Sequence, residues 1–335
     1  MFAELDIKGS TLKSVLSDMA TLIPSGSKTV PLGIDLSKGV LTFTCNGQCN
    51  CEETVKVNSD ESFSITVVYS SISDLIPSGE QVKLTLQDSG MSIETSRISR
   101  FFRMAYSVVP KLEYTLPTMR EIPGVNAVQR LRALTKTQLA NMYNREASIE
   151  IRNEVAIMKY PNLWMQVRVP GFPCNCTLTQ ECARTLMTFG PRAFGELSHD
   201  TLVFKRDNAL LFVPIGLCSD SQAIGSLLLE DMHITRLPVG KFVDNLKMLR
   251  SLGCKTARVS MLSMGLTVHG DCTDGSVDVY LGDKESDYLC SVELPTELLL
   301  LAVGLFTDTT AEFLYKEGIL CLRNQDTAIV LRVLL

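Results

Sequence analysis

The 335-residue chain has no apolar run long enough to span a bilayer, which takes roughly 18–20 residues. Its longest apolar cluster, Leu298 to Phe306, is broken by Gly304. The opening residues MFAELDIKGS carry acid at once and lack a basic-then-apolar signal segment. Both absences predict a soluble, cytoplasmic protein with no membrane partner. Histidine is scarce, with three in the chain, and His199, His233 and His269 fall in polar or strand-edge settings. Also missing are GxxxxGK followed by Ser or Thr, GxGxxG after a strand, HExxH and GxSxG. Phosphate-loop, dinucleotide, zinc-peptidase and serine-hydrolase chemistry therefore have no carrier. No enzyme activity and no cofactor are predicted.

What is present is globular: 45% hydrophobic and 21% charged residues, enough apolar material for a core. The length predicts two or three domains. A net charge of −5 opposes nucleic acid on a simple electrostatic reading. Screening limits an exposed charge to about 8 Å at physiological salt, so a local basic face can still meet phosphate. The eleven cysteines are an odd number and predict reduced thiols rather than a disulfide framework. Neither Cys45/Cys49/Cys51 nor Cys174/Cys176/Cys182 has CxxC pairs, and no histidine is near. Small buried thiols are predicted there, not zinc.

One unit recurs: a short helix, a strand, a Gly- or Asn-containing turn and a second strand. Its clearest copy starts at Val239, where Val239, Phe242, Val243, Leu246 and Leu249 form an amphipathic helical stripe. Gly253 is placed to end it; Ala257, Val259 and Met261 alternate, SMG turns, and Leu266 and Val268 follow. Near the start, Leu12, Val15, Leu16, Met19, Leu22 and Ile23 form another stripe, with Ser10 or Thr11 as N-cap. Ser70 or Ser71 caps a second short helix with Ile72, Leu75 and Ile76, stopped by Pro77-Ser78-Gly79. The middle third predicts a helix near 125–143 and another from about Thr179 to Phe189. Strands Leu202–Phe204 and Leu210–Val213 flank a turn at Asp207-Asn208. The last copy begins at Pro295 and runs through Leu305. It continues in strands Glu312–Tyr315 and Ile319–Leu322, with Gly318 between, and a final strand Ala328 to Leu334. The helices recur roughly every 115 residues, a typical domain length. The predicted fold class is α+β: three repeated domains, 1–115, 120–222 and 226–335, each with two helices packed on antiparallel sheets. Lys111–Pro123 and Cys218–Ser226 are the predicted linkers.

The runs IPSGEQVKLTLQDSGMSIETSRISRFF, LPVGKFVDNLKMLRSLGCKTARVSMLSMGLTVHG and TAEFLYKEGILCLRNQDTAIVLRVLL resemble, in position and order, the unit of DNA sliding clamps of the three-domain bacterial type. The resemblance spans nearly the whole chain as a pattern, at low identity, in a chain somewhat short for that type, as in a divergent or virus-encoded clamp. It implies a head-to-tail homodimer closing into a ring around double-stranded DNA, with helices lining the hole and sheets outside. It further implies a processivity factor that tethers DNA polymerase and other replication proteins, loaded by a separate clamp loader ATPase, in a nucleoid or viral replication compartment.

Sliding needs mobile, sequence-blind contacts between Lys or Arg and phosphate. The candidates are Lys241, Lys247 and Arg250 on the 239–252 helix; Arg130, Arg132 and Lys136 across 125–145; and Arg184 and Arg192 at the fourth helix. Lys13 on the first helix joins them, as does Lys28, which resembles a DNA-facing position of clamps. Ordinary solvated helix charges account for the same pattern, and the first helix sets Asp18 against Lys13. The second helix carries Asp74 and the last Glu297, each without a base. The resemblance also implies a pocket for short partner peptides between the second and third domains, beside the C-terminus. Its candidates are Leu237, Pro238, Val333, Leu334 and Leu335, with Met158 and Leu163; the plain alternative is a core strand end. Competing functions are a DNA-tracking transcription coactivator, a structural virion or shell protein of repeated α+β units, and an enzyme with an unrecognised site.

Overall fold

A computed structural model describes residues 2–23, 27–122, 126–136, 141–143, 145, 147–172, 174–218, 233–262, 265–273, 275–282, 290–306, 310–316 and 319–332. They form two compact units: Met1–Thr135 with Gly171–Leu217, and Lys136–Pro170 with Cys218–Leu335.

In the first unit, a four-stranded antiparallel sheet has the order 2–8, 81–87, 90–94, 99–103. An eight-stranded sheet has the order 63–69, 30–37, 40–46, 50–56, 209–214, 201–206, 193–198, 120–121. In the opening strand Ala3, Leu5 and Ile7 are buried while Phe2, Glu4, Asp6 and Lys8 are exposed, the period of two that gives a sheet one covered face. The helix Gly9–Ala20 buries Leu12, Val15, Leu16 and Met19, the expected stripe. Its start differs from expectation. Lys8 stands at the N-cap with no side-chain bond, and Ser10 and Thr11 lie within the first turn. Close packing sets the start: Gly9 N donates to Glu80 O at 2.8 Å, and a Cβ on Gly9 would stand 2.0 Å from Pro77 O, so glycine is required.

The second expected helix is a single 3-10 turn, Ser73–Leu75. Residues 70–76, between the strand ending at Tyr69 and Pro77, are too few to sustain an α-helix, yet the turn packs on Gly9–Ala20. The helix expected near 125–143 is broken as well. Asn126–Gln129 is helical and Arg130–Ala133 is 3-10, while residues 125 and 137–140 lie outside the described residues. The carbonyl of Leu134 accepts from Gln180 Nε2 at 2.8 Å and that of Thr135 from Arg184 Nη1 at 3.5 Å, and residues 141–143 are again helical. The helix Gln180–Phe189 meets its expectation. Thr179 Oγ1 accepts from Cys182 N at 3.0 Å, and Gly190 ends the helix at φ +61, in the left-handed region that favours glycine.

Strand 50–56 pairs with 209–214, Cys51 opposite Leu211, so the first and middle thirds of the chain share one sheet. The described part of the predicted linker, 111–122, is packed on it at Tyr114 and Arg120–Glu121. Tyr114 meets Phe212 edge-on and donates to Glu52 Oε1 at 2.8 Å, and Arg120–Glu121 adds an edge strand beside Ala193 and Phe194.

In the second unit, strands 148–152, 155–160, 163–168, 327–332, 319–323, 310–316 and 233–238 are neighbours in one sheet. A four-stranded sheet has the order 275–282, 265–272, 256–262, 290–295. Helix Val239–Ser251 buries Val239, Phe242, Leu246 and Leu249, and helix Thr296–Val303 buries Leu298, Leu299, Ala302 and Val303; the two pack on each other. Ser263, Met264 and Gly318 of the expected turns, residues 219–226 of the second linker and Val333, Leu334 and Leu335 lie outside the described residues. Division by compactness differs from division in chain order because each unit's long sheet draws strands from the middle third.

Candidate nucleic-acid interface

Each helix that buries one stripe turns another face to solvent. On Gly9–Ala20 that face has exposed Ser14 and Ser17 and half-buried Lys13. Asp18 is not on it. It falls three residues after Val15, on the buried stripe, and its carboxylate receives an ion pair from Arg206. The expectation of an acid opposing Lys13 in solvent is thereby corrected. Glu53 lies beside Asp18; burial first, then the charge of Asp18, push its carboxyl up to about 8. Burial thus favours its neutral form.

Elsewhere in the first unit, Lys28 and Arg132 are exposed and Arg130 is half-buried. The turn Arg130–Ala133 packs against helix Gln180–Phe189, which carries half-buried Arg184. Exposed Arg192 pairs with Asp207 at 3.1 Å.

In the second unit, Lys136 is half-buried. Lys241 donates to Leu281 O at 3.2 Å and stands 5.8 Å from the Tyr280 ring centre. Lys247 lies 3.7 Å from Asp244, and Arg250 lies 3.7 Å from Glu297. The acid of the last helix, expected to stand without a base, is thus offset by its neighbouring helix. Exposed pairs of this kind contribute at most about 1 kcal/mol, so a phosphate oxygen can take over either cation.

The groove candidates divide. Met158 and Leu163 are fully buried, so they pack the sheet and offer no surface to a peptide. Register places Leu163, Leu331, Leu320, Tyr315 and His233 in one row across the long sheet. Pro238, half-buried, pairs with Thr310 at one end of strand 310–316, whereas Arg332 pairs with Ile319, itself opposite Lys316 at the other end. Leu237 pairs with Ala311. Pro238 and the last described residue therefore occupy opposite ends of the sheet, and the structure does not bring them together. Alternation along a strand reports its face but not its register against a distant partner.

Two strand edges that sequence reasoning did not single out are open among the described residues. Strand 99–103 ends the four-stranded sheet of the first unit, and strand 275–282 ends that of the second. Arg97, Arg100 and Arg103 are exposed at the first edge, with Phe101 44% and Met104 54% exposed. At the second, Asp278 and Tyr280 are exposed. Asp278 and Asp271 hold His269 at 2.8 and 3.0 Å, and the Asp278 hydrogen bond leads in raising its pKa. A signal for both edges exists in the sequence. Residues 95–112 include Arg97, Arg100, Arg103 and Lys111 and no acid; residues 271–287 include Asp271, Asp274, Asp278, Asp283, Glu285 and Asp287 against Lys284 alone.

No protein-family model and no curated protein matches the chain. Solved structures do. The DNA polymerase III beta chain of Streptococcus pneumoniae matches at 10% identity and TM-score 0.77, over 100% of both chains. The sliding clamp (DNA polymerase III subunit beta) of Bartonella birtlesii, bound to griselimycin, matches at 12% and 0.75, also over 100% of both. The Helicobacter pylori beta clamp bound to a DNA ligase peptide matches at 11% and 0.74, over 99% of this chain and 100% of that one. From end to end, this chain has the fold of the bacterial beta sliding clamps.

Proposed function

We propose that the chain is a DNA sliding clamp: a non-enzymatic processivity factor that encircles duplex DNA without sequence preference and tethers DNA polymerase and other replication proteins. The observation that carries this is the full-length fold, whose two open strand edges bear opposite charge. An open edge with exposed apolar side chains is a template for pairing with another chain. Here the basic edge belongs to the first unit and the acidic edge to the second, so two copies joined head to tail match each edge to its complement. A head-to-tail contact that closes makes a ring. Three modules per subunit, 1–115, 120–222 and 226–335, are supported by three helical associations: 9–20 with 73–75, 126–133 with 180–189, and 239–251 with 296–303.

Enclosure makes tight binding unnecessary, because each phosphate contact adds affinity and retards sliding. Lys13, Lys28, Arg130, Arg132, Lys136, Arg184, Arg192, Lys241, Lys247 and Arg250 are the bases assigned to this loose contact, several of them already held by local acids or carbonyls. Loading falls to a separate ATPase, since the chain has no phosphate loop. Partner peptides are assigned to the end of the second unit's long sheet where strand 233–238 begins and strand 327–332 ends. The peptide-bound Helicobacter pylori clamp supports peptide capture by this fold.

Light scattering after size exclusion tests the dimer, and retention on nicked circular against linear DNA tests enclosure. Retention on circles with loss from linear ends is expected; equal retention on both, as for a shell protein with a basic patch, overturns the proposal. Lys247→Glu with Arg250→Glu is expected to reduce retention on circles several-fold without changing the dimer.

A further inference from the structure

Across the four-stranded sheet of the second unit, register sets Asp278, His269, Arg258 and Glu293 in one row that starts at the open strand 275–282. At the far end of the row, Arg258 Nε and Nη2 donate to Glu293 Oε2 at 3.2 and 2.8 Å. His269 is held differently. A carboxylate stands on each ring nitrogen, Asp278 Oδ1 2.8 Å from Nδ1 and Asp271 Oδ1 3.0 Å from Nε2. A neutral imidazole donates from one nitrogen, an imidazolium from both. Acceptors at hydrogen-bond distance on both sides therefore fit the charged ring. The ring is partly exposed and both acids are exposed, so water reaches the cluster and a second chain can reach both acids.

We propose that His269 is a proton switch on the head-to-tail contact: as imidazolium it holds Asp271 and Asp278 to their own subunit, and as imidazole it frees one of them for the arginines of the next. The inference rests on the edge pairing of the proposed ring. With the imidazole charged, the cluster carries one net negative charge; with it neutral, two. The opposing edge carries Arg97, Arg100 and Arg103, all exposed, so loss of the proton strengthens the attraction. The surrounding charges keep that sign. Arg258 is occupied by Glu293, whose carboxyl it holds below the ordinary value. Helix Val239–Ser251, packed on strand 275–282, brings Lys241, which donates to Leu281 O at 3.2 Å. The Asp278 hydrogen bond leads in raising the His269 value above the ordinary 6.5. Below that pH the free subunit holds the proton; as pH rises through the raised value the proton leaves and the contact tightens. By reciprocity, docked arginines expel the proton at lower pH.

Analytical ultracentrifugation of the full chain at low salt gives the dimer dissociation constant from about pH 5.5 to about 8.5, the range in which histidine titrates. Wild type is expected to associate more tightly as pH rises, by roughly three- to five-fold, the scale of an exposed ion pair, with a midpoint above 6.5. His269→Gln is expected to remove the step and to stay near the tight limit. Asp271→Asn, which takes one acceptor from the ring, is expected to move the step to lower pH, and it decides the matter should His269→Gln fail to fold. A pH-independent wild-type dimer, or a step that survives His269→Gln, overturns the switch and leaves the ring standing. A monomer at every pH overturns the head-to-tail contact and the switch with it.

Discussion

Burial and then Asp18 penalise the charge of Glu53 and favour its protonated form. Its folded value, about 8, lies above the ordinary 4.5. Between those pH values the folded state holds a proton that the unfolded chain has released. The stability from this group is therefore complete below about 4.5 and is lost as pH rises through about 8. Glu53→Gln keeps the neutral shape and removes the titration. Melting temperatures compared across that range are expected to fall more steeply for wild type than for Glu53→Gln; parallel curves would place a charged Glu53 in the native state. Arg206→Met leaves two acids in contact without their cation. Urea unfolding at about pH 8 is expected to show a loss of about 2–4 kcal/mol, and less near pH 5, where the acids neutralise instead. The burial of Asp18 was legible in its spacing from Val15. Its partner, 188 residues away, was not.

At the scale of elements, helix ends differ in what sustains them. Thr179→Ala removes a cap hydrogen bond and is expected to cost about 1 kcal/mol in urea unfolding. Ser10→Ala, on a helix whose cap makes no side-chain bond, is expected to change stability by less than about 0.5 kcal/mol. A cost at Ser10 equal to that at Thr179 would contradict the assigned helix start. Stripes such as Val239–Leu249 and alternation such as Ala257–Met261 are local periodicities, and the elements they announce are present. The helices expected at 70–76 and 125–143 are shortened or broken. Pro77 and the preceding strand leave the first no length, and the second passes from α-helix at 126–129 to a 3-10 turn at 130–133. The stripe shows which residues are buried, not where the helix will tighten or stop.

For the whole molecule, the proposed head-to-tail contact rests on the two charged edges. Arg100→Asp with Arg103→Asp sets acid against acid between subunits. Light scattering is expected to report a monomer, and adding Asp271→Arg with Asp278→Arg on the same chain is expected to restore the dimer. Rising salt is expected to weaken the wild-type dimer in the same direction, since exposed charges are screened. A dimer unaffected by the first pair of substitutions would place the contact elsewhere. These edges were legible as charge blocks in 95–112 and 271–287. Their openness was not, because a strand's place in its sheet is set by which other strands pair with it.

By itself the sequence determined the α+β class, most of the helix and strand stripes and the burial of Cys45, Cys49, Cys51, Cys176 and Cys182, while Cys174, expected buried with them, is half-buried. Each follows from local composition and from periods of two or 3.6 residues. Tertiary structure alone decided that the middle third is divided between two long sheets, that Asp18 pairs with Arg206, that the Cys182 thiol reaches the Gln48 carbonyl, and that Pro238 and Arg332 stand at opposite ends of one sheet. Those outcomes depend on pairing and register between segments far apart in the chain. A period read along one strand carries no information about its partner.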